Sequence, residues 1–464
     1  MPKPEAPASS GPPPAFSPYQ RFATALLTLL QFAVILDFMI MSPLGALIMP
    51  ALSMSAQQFG LVVSAYAFSA GISGLLTAGF ADRFDRKKLL LFFYTGFLLG
   101  TVWCGLATSF EMLLLARVVT GLFGGVIGSI VMAITADLFE PALRGRVMGL
   151  LQGGFAASQV LGLPFGLFLA THWDWHAPFI ALAAFGALGG LLIAWRMKPV
   201  DAHLALPNDR SAFKHLLHTV ANGRHLQAFA ITALLTTGGF MIMPFASAFS
   251  VHNVGIALDH LPMVYLVTGI STLFVAPAVG RLTDRIGPLP VFYAGSGLTI
   301  AMVAVYTRLG PSPLALLILV NVVLFAGIFS RMVPWQVIVA GIPAPEQRGS
   351  FSAINAALQQ LAGGLAALVS GHIVHIAADG RLEHFPWVGN VLIGTTLVVG
   401  VLIWRLQRGA AQPGDGSWAR PRDSRGGQPA RRDDEVGSCP REGATQPAAR
   451  SGGPAGGQRC PTAW

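Results

Sequence analysis

The strongest constraint in this chain is its repeated supply of apolar runs about 20 residues long. A helix rises 1.5 Å per residue, so roughly 20 apolar residues cross a hydrocarbon layer of about 30 Å. Twelve such runs can be read, near residues 22–48, 58–80, 88–107, 111–136, 147–170, 177–196, 226–250, 261–279, 289–307, 313–336, 351–376 and 386–405. None alternates polar and apolar residues as a membrane barrel strand must. Composition agrees, because only 11% of the 464 residues are charged, against about 25% in soluble domains. The predicted fold class is an all-α membrane protein with twelve transmembrane helices, and a water-soluble globule is excluded. Residues 1–19 are rich in Pro and Ser and precede the first run, so no cleavable signal peptide is read there. Cys104, Cys439 and Cys460 show no spacing for a zinc site or a disulfide framework.

A net charge of +9 raises nucleic acid as a partner, and the positions of the charges argue against it. Alternate loops collect fourteen basic residues on one side, namely Arg83, Arg86, Lys87, Lys88, Arg144, Arg146, Arg196, Lys198, Arg210, Lys214, Arg224, Arg281, Arg285 and Arg348. The other side has Arg308 and Arg381. Basic loops stay on the inner side of a membrane, so both termini are expected in the cytoplasm. Ten more basic residues lie from Arg405 onward, where the chain turns abruptly to Gly, Pro, Arg and Ser. Such a segment buries too little apolar surface to fold and is expected to be a solvated tail near anionic lipid.

Two halves can be aligned. Phe38-Met39-Ile40-Met41 recurs as Phe240-Met241-Ile242-Met243, and Asp82-Arg83 recurs as Asp284-Arg285, both at an offset of 202 residues. Pro141 to Gly145 recurs as Pro345 to Gly349 at an offset of 204. Three matches in order at nearly one offset predict an internal duplication, two pseudo-symmetric six-helix bundles of the kind found in secondary transporters. The expected divisions are a disordered N-terminus (1–19), a first bundle (20–196), a central cytoplasmic loop (197–225), a second bundle (226–408) and a disordered tail (409–464). Within the central loop, Phe213 to His218 reads as a short amphipathic surface helix.

Between spans 2 and 3, the run Ala78 to Lys87 resembles the signature loop of the major facilitator superfamily, G-x-L-a-D-R-x-G-R-K. Asp82, Arg83, Arg86 and Lys87 match it, while Ala78 and Asp85 replace its glycines. The copy from Gly280 to Gly287 keeps both glycines. The resemblance covers about residues 20–408 and implies a gate. Asp82 would dock on the helix N-terminus near Gly349, and Asp284 near Gly145, where the helix dipole favours negative charge. Arg83 and Arg86 would pair with Asp137 or Glu140. Arg117-Val-Val-Thr120-Gly121 is similar to an element of proton-coupled members, and Gly162-Leu163-Pro164-Phe165-Gly166 to a degenerate form of the antiporter element. Trp175 to Phe179 looks like a corner common in bacterial efflux permeases, with His176 where Arg is usual. The resemblance is strongest to the twelve-span drug:proton antiporters and arabinose-type efflux permeases. It implies a bacterial inner-membrane location, a monomer, and no cofactor beyond the proton gradient.

Asp37 is the one carboxylate deep inside an apolar run, and its repeat-mate is Gly239. A lone charge in hydrocarbon is costly, and a carboxylate can shed that charge by taking a proton. From an inner start near residue 22, Asp37 lies roughly 22 Å in, about 8 Å from the outer edge, and Arg117 roughly 9 Å below the same edge. Pairing at that depth is permitted, with Asp37 as protonation switch and Arg117 tuning it; a purely structural pair is the alternative. Arg331 reads as a residue whose stem snorkels to the cytoplasm. His372 and His375 read as sharing one helix face near the outer edge, with no third ligand for a metal. Gly121, Gly124, Gly153 and Gly162 are read as close-packing positions.

Solute contacts are expected from Gln31, Phe38, Met41, Thr236, Thr237, Phe240, Met243 and Asn321, whose Met- and Phe-rich lining suits a hydrophobic or amphipathic molecule. The expected function is secondary transport by alternating access, expelling a small molecule in exchange for protons. Alternatives are a sugar or metabolite exporter or facilitator, and a sensor that binds solute without moving it. No catalytic constellation is read, so an enzyme is not expected.

Overall fold

The computed structural model describes residues 15–77, 83–201, 204, 219, 222–344 and 347–410. Twelve helices among them are long and apolar enough to cross a membrane. They are Pro18–Ile40, Ala56–Thr77, Arg86–Cys104, Phe110–Leu138, Pro141–His172, Ala177–Arg196, Gly223–Asn253, Leu258–Ile286, Pro288–Tyr306, Leu314–Ala340, Arg348–Ile373 and Phe385–Arg408, numbered spans 1 to 12. Their outer surfaces are apolar, with Phe92, Leu99, Leu191, Phe274 and Leu397 exposed, as lipid-facing positions must be. Asp82 and residues 213–218 lie outside the described residues, so neither the Asp82 gate nor the amphipathic helix expected there can be placed.

The packing shows the duplication. In the first half span 1 packs on spans 5 and 6, span 2 on span 4, and span 3 on spans 4 and 6; adding six to every number gives the pairs of the second half. Between the halves, span 2 lies along span 11 and span 5 along span 8. Both contacts are backbone-close. A Cβ on Gly60 would stand 2.8 Å from the Ala367 carbonyl, and one on Gly269 would stand 2.9 Å from that of Gln159.

Several boundaries differ from the sequence reading. Span 1 ends at Ile40 instead of continuing to residue 48; a turn over residues 41–44 contains Pro43, and a separate helix, Gly45–Ala51, follows. Proline cannot donate the amide that the next helical turn needs. Pro244, one residue before the repeat-mate of Pro43, interrupts span 7, which passes through a 3-10 turn at Met243–Phe245 and a π segment at Phe249–Asn253. Span 8 runs on to Ile286, so Asp284 and Arg285 occupy its last turn and not a loop; Gly287, with φ of 89°, ends it. Span 11 stops at Ile373, and His375 sits in a two-residue strand, His375–Ile376, paired antiparallel with Leu382–Glu383. His372 and His375 therefore do not share a helix face. Among the described residues no cluster of three metal-ligating side chains occurs.

The two broken helices meet. Ser247 is fully buried, donates its hydroxyl to the Ser42 carbonyl at 3.1 Å and accepts from the Ala46 amide at 3.3 Å. One hydroxyl thus satisfies backbone groups freed by the Pro43 turn and joins the halves. Ser247→Ala is expected to leave that buried amide unpaired, at about 1–3 kcal/mol. A lowered unfolding temperature of the purified protein, together with faster thiol labelling of a Cys at Ala46, checks this.

The two seams between the halves differ: span 2 packs on span 11 as far as Gly71 against Ala357, while the contact of spans 5 and 8 lies at the end away from the basic loops. Span 8 meets span 5 along residues 158–172, whereas Gly145, Gly149 and Gly153 have no atom within 4 Å of where a Cβ would stand. The seam between spans 5 and 8 therefore opens toward the end bearing the basic loops.

Candidate functional site

Span 1 starts at a capping box in which Ser17 Oγ accepts from the Gln20 amide and Gln20 Oε1 accepts from the Ser17 amide. Gln20 Nε2 also donates to the Leu138 carbonyl at 3.3 Å, tying the start of span 1 to the end of span 4. Twenty residues along the helix sits Asp37, fully buried. Arg117 Nη1 of span 4 donates to its Oδ2 at 2.8 Å, and Thr101 Oγ1 of span 3 donates to its Oδ1 at 3.0 Å. Arg117 is 1% exposed, and its guanidinium carbon stands 4.5 Å from the centre of the Tyr66 ring. The depth arithmetic thus paired the correct two residues. Thr101 and Tyr66 were missed, because a Thr and a Tyr inside apolar runs carry no spacing signal.

Span 5 holds span 1 at this level. A π turn over Ser158–Gly162 precedes Pro164, and positions 162 and 166 present no side chain. A Cβ at Gly162 would stand 2.8 Å from Leu36, and one at Gly166 would stand 2.1 Å from Ile40, the residues on either side of Asp37. The degenerate motif is thus a docking face for the Asp37 turn. Gly121 and Gly124 pack closely on Tyr66 and its neighbours, as expected, but Gly153 faces open space and does not pack.

Of the expected solute contacts, Phe38 and Phe240 meet at 5.7 Å between ring centres, with Tyr66 5.2 Å from Phe38. These two phenylalanines are repeat-mates, so they meet close to the axis relating the halves. Gln31, Thr236, Thr237 and Met243 are half-buried, and the two threonine hydroxyls bond carbonyls of their own helix. Met41 is fully buried in the turn after span 1 and lines no open space. Asn321 donates to the Leu317 carbonyl of its own turn at 2.9 Å.

At the basic end, Arg86 pairs with Asp137 at 2.9 Å, as one of the expected gate contacts. Asp85, where the signature has Gly, caps span 3 through the Lys87 amide and also accepts from the Val200 amide after span 6. Arg144 donates to the Phe139 and Ala136 carbonyls, closing the C-terminus of span 4, where the dipole favours a cation. Asp284 is exposed without a hydrogen bond or ion pair among the described residues, and no described atom stands within 4 Å of where a Cβ on Gly145 would be. The expected Asp284 contact is not made because spans 5 and 8 are apart at that end. Arg83 is exposed, and Glu140 precedes span 5 without capping it. Arg331 does not snorkel: it is 4% exposed, and its Nε has no partner.

The family model of the Major Facilitator Superfamily matches residues 27–367, and again residues 228–432. The chain belongs to the major facilitator superfamily. Its relatives include the uncharacterized MFS-type transporter YceJ of Bacillus subtilis, 26% identical over 83% of this chain and 95% of that one. A probable sugar efflux transporter of Mannheimia succiniciproducens is 23% identical over 76% and 86%. The multidrug resistance protein fnx1 of Schizosaccharomyces pombe is 30% identical over 38% and 32%. Among solved structures, an inward-facing bacterial homologue of the lysosomal transporter Spinster superposes with a TM-score of 0.66 at 18% identity, over 84% of this chain and 96% of that one. As a major facilitator superfamily member the chain is a multi-pass membrane transporter for small molecules, and no catalytic activity is indicated. Asp37, Arg117 and Thr101 are then a polar cluster in the core of its first half, one residue from the aromatic contact between the halves.

Proposed function

We propose that this transporter expels a small hydrophobic or amphipathic molecule in exchange for protons, with both termini in the cytoplasm of a bacterial inner membrane. The observation that carries the reading is the Asp37 cluster. Asp37 is fully buried, yet its neighbour Phe38 meets Phe240 ring to ring across the halves. Protonating Asp37 removes half of the ion pair with Arg117, loosening spans 1 and 4 from each other beside the contact on which alternation turns. Arg117 keeps its charge throughout, so the ion pair reforms when Asp37 gives up its proton. The basic loops support the orientation, and the Phe38, Tyr66 and Phe240 rings support the solute class.

Proton movement driven by solute in inverted vesicles tests this, after a susceptibility screen with and without an uncoupler has found a solute. Asp37→Asn should abolish the proton signal, and Asp37→Glu, which keeps the carboxyl, should retain it, both read on protein that elutes as a single species. Unchanged coupling in Asp37→Asn sinks the idea. A second reading, sugar or metabolite export, is favoured by the relative named as a sugar efflux transporter. Uptake of sugars in the same vesicles decides between the two, and tight binding without flux would reveal a sensor.

A further inference from the structure

Arg331 in span 10 is a second buried arginine, and it lacks the partner that Arg117 has. In the first half a buried arginine on span 4 finds its carboxylate on span 1. In the second half Arg331 is buried to 96% with its Nε unpartnered, and no ion pair or hydrogen bond reaches it among the described residues. Its Nη1 stands 4.0 Å from where a Cβ on Gly238 of span 7 would be, so it occupies the seam between spans 10 and 7. Spans 7, 9, 10, 11 and 12 contain no Asp or Glu at all, and the two in span 8, Asp259 and Asp284, sit at its ends. Asp37 is engaged by Arg117 and Thr101.

Next to Gly238 on span 7 is Gly239. It is exposed, with no atom within 4 Å of where its Cβ would stand. A second unsatisfied donor lies at this level. Ser296 of span 9 is buried with a free hydroxyl, and its neighbour Gly295 packs directly on Ser330. A buried guanidinium without a countercharge is among the costliest arrangements in a protein interior. The repeat-mate of Arg117 falls between Leu319 and Asn321, at offsets of 202 to 204. Arg331 is thus a separate buried arginine, whose Nη1 faces Gly238, beside the open space at Gly239 on span 7.

We propose that this space receives the anionic group of the transported molecule, a carboxylate, sulfonate or phosphate monoester on an apolar body, paired with Arg331. The inference rests on the reading of the space between the halves as the solute path, and it narrows the solute class to amphipathic organic anions. An Arg–oxyanion pair in a water-poor seam is strong because its charge-assisted hydrogen bonds are little screened.

The test is equilibrium binding to the full-length protein in a neutral detergent, without a proton gradient, so that failure of proton coupling and failure of this proposal separate. The probes are 1-naphthalenesulfonate, 1-naphthoate and 1-naphthyl phosphate, with 1-naphthalenemethanol and 1-naphthylmethylammonium as neutral and cationic matches. At least one anion should bind and raise the unfolding temperature, and Arg331→Gln should weaken it by about tenfold or more. Gly238→Asp, whose Cβ would stand 4.0 Å from Arg331 Nη1, supplies a partner from within and should raise the unfolding temperature without ligand and abolish anion binding. It also serves if Arg331→Gln fails to fold. Equal binding of the neutral or cationic probe, anion binding unchanged in either variant, or no binding of any of the three anions overturns the proposal.

Discussion

Asp37→Leu, with Arg117 left in place, is expected to cost about 3–5 kcal/mol of stability. The variant leaves a guanidinium that is 1% exposed facing Leu where a carboxylate stood, and an arginine cannot neutralise itself by losing its proton. Arg117→Met should cost less, because the abandoned Asp37 can take up a proton and keep its hydrogen bond with Thr101. The double variant, Asp37→Leu with Arg117→Met, should recover most of the loss, since an apolar pair of similar volume replaces a buried ion pair at little cost. It should nonetheless show no coupled proton movement. Thermal unfolding of the four proteins in detergent gives the cycle. If Asp37→Leu and Arg117→Met are equally mild, the pair is not the buried ion pair that its 2.8 Å contact describes.

Gly60→Val is the second large effect, and it acts on conformation more than on folding. Its Cβ would approach the Ala367 carbonyl to 2.8 Å and Gly371 Cα to 3.1 Å, both backbone atoms of span 11 that cannot rotate away. Overpacking of this kind costs about 1–3 kcal/mol, or roughly 5–150-fold in a two-state equilibrium. The cost falls only on states in which spans 2 and 11 touch at that end. The variant should therefore populate conformations in which the halves part there, and transport should fall by about tenfold or more, while the unfolding temperature holds. A reporter cysteine at Ala56, which is 4% exposed, should label faster in Gly60→Val, with Cys439 and Cys460 replaced by Ser. An unaltered labelling rate would mean that this contact does not open during the cycle. Gly74→Ala serves as control, because its Cβ would meet only the Gly125 carbonyl at an ordinary 3.6 Å.

Much of this was legible without coordinates, for identifiable reasons. Each spanning helix had to satisfy its own backbone in hydrocarbon, so length and apolarity alone marked all twelve. Asp37 stood out because charge inside such a run is rare. The helix ends were read less well. Span 1 continued in the apolar pattern through Pro43, and only the missing proline amide and the rescue by Ser247, some 200 residues away, ended it at Ile40. Asp284 was read as a loop residue because charges suggest loops, yet the helix continues until Gly287 takes a positive φ. Arg331 was assigned to the interface by counting residues, and counting cannot say which way a side chain turns.

The sequence by itself determined the membrane class, the number of spans, the duplication and the one buried carboxylate. Those follow from hydrocarbon's intolerance of unpaired backbone and charge, a local rule that each segment obeys alone. Only the tertiary structure decided which polar groups meet. Thr101 completes the Asp37 site because spans 3 and 1 happen to align at that depth, and Arg331 goes unpartnered because span 7 presents Gly238 to it. Whether a buried charge is satisfied depends on the neighbours that packing brings within 3 Å, and one-dimensional order does not carry that distance.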